Sequence, residues 1–322
     1  MRVYLSCMAV AVILASCTPK PQAVESAPDW AYPMKPAATA PEPVDTALHH
    51  VPDSAAAFHK AELKSLASAP DWHPDEHPAM PEVVVHGSGN GAGACAYCHL
   101  PNGAGRPENA PLAGLPKAYI IAQVRAFGDA SRTSSVHRAP ADNMAKVAKA
   151  AQPGDDEAAA AYFAALTPRS FVRVVETDTV PKTEPAAWIL RLSAGAGTEP
   201  IGNRIIEVPD DFARFELRDS RTAYTAYVPA GSIARGRALV AGKAGKVGCV
   251  SCHGTDLTGT GDIPGIAGRF PTYIIRQLYD FKSGARADIA SAAMKPVADR
   301  LSAGDRIDIA AYLATLRPAS GA

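Results

Sequence analysis

The chain has no surplus of either charge: 32 basic residues face 32 acidic ones in 322. Nothing in that balance points to a nucleic acid or to an anionic surface held by charge. It also has no long apolar run at its start. The mostly apolar stretch from Val3 to Ala15 falls short of the roughly twenty residues a membrane span needs, but it fits the core of a secretory signal. Cysteine is scarce, with six residues, and their placement carries most of the information.

Four of the six lie in two copies of one pattern. Cys95-Ala96-Tyr97-Cys98-His99 and Cys249-Val250-Ser251-Cys252-His253 both read C-x-x-C-H, the attachment signature of c-type haem. Two thiols three residues apart on a helical turn can each bond one vinyl group of the same porphyrin. The adjacent histidine then turns its imidazole toward the iron. Structural zinc is the competing reading, but each pattern lacks the second ligand pair that a tetrahedral site requires. The expected cofactors are therefore two covalently attached c-type haems. Cys7 and Cys17 lie in the N-terminal segment, so no pair remains for a disulfide.

Leu14-Ala15-Ser16-Cys17 resembles the lipobox of bacterial lipoproteins, in which cleavage leaves the cysteine as an acylated first residue. The resemblance implies a signal peptide over residues 1–16 and a lipid anchor at Cys17, on the periplasmic side of a bacterial membrane. An ordinary signal peptide with an incidental cysteine is the alternative, and both give an extracytoplasmic protein. Residues 17–53 are rich in proline and alanine and read as a semi-extended tether. Ser26-Ala27-Pro28-Asp29-Trp30 recurs as Ser68-Ala69-Pro70-Asp71-Trp72, and Trp30 is a candidate to pack on a folded domain. Asp53-Ser54 could cap a helix carrying Phe58, Ala61, Leu63 and Leu66.

A larger repeat organises the rest. From Cys95 to Arg132 the first copy maps onto the second at an offset of 154, pairing Tyr119 with Tyr273, Gln123 with Gln277 and Arg132 with Arg286. Beyond that the offset falls to 150, so the first copy holds about four extra residues near 133–143. Residues 117–128 and 272–283 read as helices, each preceded by a proline suited to a helix start. Ser302-Ala303-Gly304-Asp305 reads as a capping box for the last helix, and its counterpart opens around Asp155. Short β-rich segments at Phe171–Val175, Trp188–Leu190, Arg204–Val208 and Tyr224–Val228 make residues 169–230 a small connector.

With these pieces in place the chain resembles two-haem class I c-type cytochromes of bacteria. The matched pieces are C-x-x-C-H, Pro-Leu-Ala-Gly or Pro-Gly-Ile-Ala-Gly midway, a methionine, and a C-terminal helix containing Ala-Ala-Tyr. The resemblance implies a mainly α chain, with one cytochrome domain over 54–168, the β-rich connector over 169–230, and a second domain over 231–322. It also implies that His99 and Met144 ligate the first iron, and His253 and Met294 the second. Of the six methionines, only Met144 and Met294 are paired by the duplication, with His137 a rival ligand seven residues upstream of Met144. Pro111 and Pro264 are the expected carbonyl partners of the histidine ring N–H. The second copy has the family's small residue on its opening helix, in the run Ile233–Leu239. The first has Pro81-Glu82 and Val83-Val84-Val85 there, so the 54–67 segment is expected to replace that helix.

Two closed His/Met sites leave no open coordination position. The expectation is a dihaem carrier of single electrons between a donor dehydrogenase and an acceptor cytochrome or oxidase, with no catalytic residue. A haem enzyme, either a peroxidase or a sulfur-compound dehydrogenase with one open or non-methionine iron, is the alternative. Its only hints are His137 and the Trp72-His73-Pro74-Asp75-Glu76-His77 tract, both read as surface histidines. A permanent cytochrome subunit of a dehydrogenase complex, docked through the connector, is a third reading.

Overall fold

The computed structural model describes residues 25–34, 44–89, 91–195, 197–242 and 248–318. The expected signal segment 1–16, Cys17 and much of the expected tether lie outside them. Among the described residues no helix is long and apolar enough to cross a membrane.

The chain enters through a 3-10 turn, Asp29–Ala31, whose Ala31 and the following Tyr32 are buried in the core of the C-terminal half. Trp30 packs against that core too, so this part of the tether is a docked strap. Next comes a hairpin of β1 (Leu48–His49) and β2 (Phe58–His59), then a single helical turn, α1 (Lys60–Leu63). The helix expected over 54–67 is therefore absent. Phe58 lies in a strand and sets its ring edge-on against Trp72, with centroids 4.7 Å apart, which buries Trp72 and half-buries Phe58. The β-branched run expected to lack helix forms one short turn, α2 (Glu82–Val85), because burial of Val83 and Val84 against α6 outweighs their weak propensity.

The first cytochrome-like half continues with α3 (Cys95–His99), α4 (Lys117–Gly128), α5 (Ala139–Ala150) and α6 (Asp155–Ala165). Asp155, Asp156 and Glu157 crowd the first turn of α6, where carboxylates oppose the positive end of the helix dipole. Val84, Ala96, Ile120, Ala160 and Phe163 form the centre of this half.

The connector is built from β3 (Val172–Glu176), β4 (Thr179–Pro181), β5 (Thr183–Ala186), β6 (Ile189–Leu192), β7 (Thr198–Pro200), β8 (Ile206–Pro209), α7 (Phe212–Glu216) and β9 (Tyr224–Val228). Its central sheet runs β3-β9-β8, with β3 parallel to β9 and β8 antiparallel to it. Strands β4–β7 and β5–β6 form two smaller antiparallel pairs.

The second half has α8 (Ser232–Val240), α9 (Val250–His253), a small β10–β11 hairpin (Gly259–Thr260 and Ile263–Pro264), α10 (Pro271–Ser283), α11 (Met294–Asp299) and α12 (Ala303–Thr315). Ser302 and Asp305 form the expected capping box of α12. Helix α8 crosses α12 so closely that a Cβ on Gly236 would stand 1.9 Å from the Asp308 carbonyl oxygen.

The two halves meet through the residues the duplication repeats. Arg132 and Arg286 face each other in an antiparallel bridge. Gln123 Oε1 accepts from Arg132 at 2.6 Å and from Arg286 at 2.8 Å, and Gln277 Oε1 accepts from the same two at 2.9 and 3.0 Å. Arg286 also donates to Tyr119 (2.9 Å) and Arg132 to Tyr273 (3.4 Å). Each half supplies the same three side chains, related by an approximate two-fold axis.

Candidate haem-binding sites

Both C-x-x-C-H segments form one helical turn ending at the histidine. The next residue then takes positive φ, Leu100 at 65° and Gly254 at 85°, which turns the chain away and leaves the imidazole at the helix end. Leu100 adopts a conformation that side-chain-bearing residues resist, and its side chain is buried, which holds it there.

The ring orientation is set in the same way twice. His253 Nδ1 hydrogen-bonds the Pro264 carbonyl at 2.8 Å, and His99 Nδ1 hydrogen-bonds the Ala110 carbonyl at 2.7 Å. Pro111 does not take this role. The offset of 154 places Ala110, not Pro111, opposite Pro264, and a main-chain carbonyl needs no particular side chain. Pro111 O instead accepts from Arg269 of the second half at 2.8 Å. With the proton on Nδ1, each ring keeps its Nε2 lone pair free, the tautomer an iron ligand needs. Burial lowers the affinity of both rings for a second proton, and at His99 the Arg132 charge adds to it.

Cys95, Cys98, His99 and Met144 line one cavity of about 220 Å³ in the first half. Leu112, Leu115, Ile120 and Phe163 give it apolar walls. It exceeds the roughly 150 Å³ of an engineered cavity that already binds benzene. Three guanidinium groups, from Arg132, Arg138 and Arg276, reach the same cavity. The buried Nε of Arg138 has no hydrogen-bond partner among the described residues. Apolar walls with an orphaned cationic donor suit a flat apolar macrocycle bearing carboxylates, so these residues fit haem. In the second half Met294 opens α11 and packs with Cys249 against the local core.

The thiols also argue against the rival chemistries. Burial pushes Cys95 up to about 12 and Cys249 up to about 11, and raises Cys98, so none of these thiols is activated for thiol exchange, which works through thiolate. Among the described residues no three His, Cys, Asp or Glu side chains gather as a metal site.

The remaining histidines separate clearly. His137 is 89% exposed and pairs with Asp142 at 3.3 Å, so it faces solvent, not the cavity. His73 and His77, expected at the surface, are buried: His73 Nε2 meets Asp219 of the connector at 2.9 Å, and His77 meets Asp71 at 3.2 Å. His73 anchors the connector, because Asp219 also binds Arg214, whereas His77 stays within the first half, edge-on to Tyr162.

Two features lay beyond the linear reading. One is the inter-half network, whose signal was the repetition of polar residues on a helix expected to be core. The other is the contact between the connector and the first attachment turn, for which the sequence carries no signal. It leaves the two sites unequal: Cys98 is half-buried and Cys252 exposed.

The chain is similar in sequence to known cytochromes. The cytochrome c family profile matches residues 233–317. A cytochrome c-554(548) of Halomonas halodenitrificans is 42% identical over 69 residues, covering 21% of this chain and 83% of that protein. A thiosulfate dehydrogenase electron acceptor of Thiomonas intermedia is 27% identical over 226 residues, covering 69% of this chain and 78% of that one. Among solved structures, the thiosulfate dehydrogenase TsdBA of Marichromatium purpuratum aligns with a TM-score of 0.48 at 28% identity, covering 70% of this chain but only 37% of that one. The chain belongs to the cytochrome c family.

Proposed function

We propose that the protein is a dihaem electron carrier, passing single electrons from a dehydrogenase to a downstream acceptor. The carrying observation is the arrangement made twice: a C-x-x-C-H turn whose histidine donates Nδ1–H to a carbonyl 11 residues on and keeps Nε2 free. Cys95 and Cys98 would hold one haem and Cys249 and Cys252 the other. His99 and Met144 would ligate the first iron, and His253 and Met294 the second. Bound haem supplies a one-electron iron couple. The chain's own part is to exclude water with the walls at Leu112, Leu115 and Phe163, fix the histidine tautomer, and place positive charge at the cavity rim. His137 faces away, which leaves the enzyme reading without its rival ligand.

The name of the Thiomonas relative is the pointer to the donor class, a dehydrogenase oxidising thiosulfate. Residues 1–16 would be removed on export and Cys17 acylated, holding the carrier on the periplasmic side of the membrane.

The protein purified under denaturing conditions should carry two covalent haems by mass. Native reduced protein should bind almost no carbon monoxide, and Met144→Ala and Met294→Ala should each open one haem to it. One haem by mass, or carbon monoxide binding in the unaltered protein, overturns the closed two-site reading.

A further inference from the structure

The connector does more than join the two halves, because the turn after α7 lies on the first attachment helix. The Leu217 carbonyl accepts Trp72 Nε1–H at 2.7 Å, the Ser220 carbonyl accepts the Asn102 amide at 3.2 Å, and the Phe215 carbonyl accepts Arg106 at 3.1 Å. Within this cap Arg218 sets its guanidinium 3.5 Å from the centre of the Tyr97 ring. It donates to the Tyr97 carbonyl at 2.7 Å and to the Leu63 carbonyl at 3.2 Å. Tyr97 is the residue before Cys98, so a cation is stacked beside the second attachment sulfur. The carboxylate next in sequence, Asp219, is occupied by His73, Arg214 and the Arg221 N–H. Burial pulls Arg218 down to about 10, so it remains a cation at neutral pH.

The second site has none of this. Ser251 stands where Tyr97 does, exposed, with its hydroxyl turned to the Gly248 carbonyl at 2.7 Å. Cys252 is exposed. Among the described residues no arginine stacks on this turn as Arg218 does on Tyr97. The duplication made two similar sites, and the connector altered one.

We propose that Arg218 is a positioning residue that sets the potentials of the two haems apart, by holding a half-buried positive charge against the attachment turn of the first. Ferric haem carries one more positive charge than ferrous haem, so a fixed cation nearby favours the reduced form. A charge beneath protein is little weakened by salt. This inference rests on haem being held at both sites, and the haem count of each variant keeps the two ideas apart.

The test is a redox titration of the holoprotein, with each haem followed through its own paramagnetically shifted proton resonances. Arg218→Met should lower the midpoint of the first haem and leave the second in place, with two haems retained by mass. Arg218→Lys keeps the charge and loses the planar fork, and should hold the midpoint close to the original. Arg191→Met, on an exposed connector strand, should move neither. If Arg218→Met fails to fold by circular dichroism, Arg218→Gln replaces it in the same comparison. Unchanged midpoints in a folded, fully loaded neutral variant overturn the proposal. An Arg218→Lys fall as large as that of the neutral variant also overturns it, because contact and not charge would then be responsible.

Discussion

At the scale of single residues, buried ionisable groups report where packing has overruled solvation. Glu207 lies in β8, only 3% exposed, and accepts from the main-chain N–H of Thr272 at the start of α10 and from its hydroxyl. Burial drives its carboxyl up to about 7 against these hydrogen bonds and the nearby Arg276. An acid with a raised folded-state value favours the protonated native state. Relative to the unfolded chain this contribution is complete below about pH 4.5 and is lost as pH rises through about 7. Glu207→Gln should therefore change the thermal midpoint little at pH 4 and raise it at pH 8, a gain of about 1–3 kcal/mol. A midpoint that shifts equally at both values would mean that the hydrogen bonds, not ionisation, dominate at this position.

At the scale of elements, α8 and α12 depend on one missing side chain. Gly236 has an ordinary helical backbone, so an alanine there suffers no conformational penalty and should gain helix propensity. Its Cβ would nevertheless meet the Asp308 carbonyl oxygen at 1.9 Å and the Tyr312 Cβ at 2.8 Å, which forces the helices apart. Gly236→Ala should destabilise the second half by about 2–3 kcal/mol, read as an earlier unfolding midpoint in denaturant. The strap gives a second test of this kind. Arg306 in α12 is fully buried, and Glu25 of the strap reaches it while also bonding Tyr279 at 3.0 Å and Lys282 at 2.9 Å. Glu25→Gln should cost about 1–2 kcal/mol, less than a fully buried pair because the carboxylate is partly in water. Chemical denaturation at neutral pH checks it.

At the scale of the whole molecule, the inter-half network decides whether the two halves behave as one. Two buried guanidinium groups face each other, held by two amide oxygens and two tyrosine hydroxyls that accept from them, with the Asp288 carboxylate 3.8 Å from Arg286. Replacing both acceptors, Gln123→Leu with Gln277→Leu, strands the charges and should cost about 3–5 kcal/mol at the interface alone. Calorimetry should then resolve two unfolding transitions where the unaltered protein shows one. A single transition in the double variant would show that the connector and strap hold the halves together without the network.

The sequence by itself determined what is local or repeated. Attachment turns, helix starts at Pro116 and Pro271, the Ser302–Asp305 box and the strand segments between the halves follow from short-range chemistry that operates over a few residues. Duplication added the pairing of Met144 with Met294 and of the three interface residues, although not where they go. Only the tertiary structure decided which repeated residues meet each other, because an approximate two-fold axis brings together groups 154 positions apart. It alone turned Phe58 into a strand residue, since the gain came from burying it on Trp72. It moved the carbonyl partner from Pro111 to Ala110, and it buried His73 on the connector. It also made the two sites unequal, because Arg218 reaches Tyr97 across more than a hundred residues of chain. Contacts of that range leave no pattern in a linear sequence: they depend on which surfaces, once the local elements have formed, can bury one another.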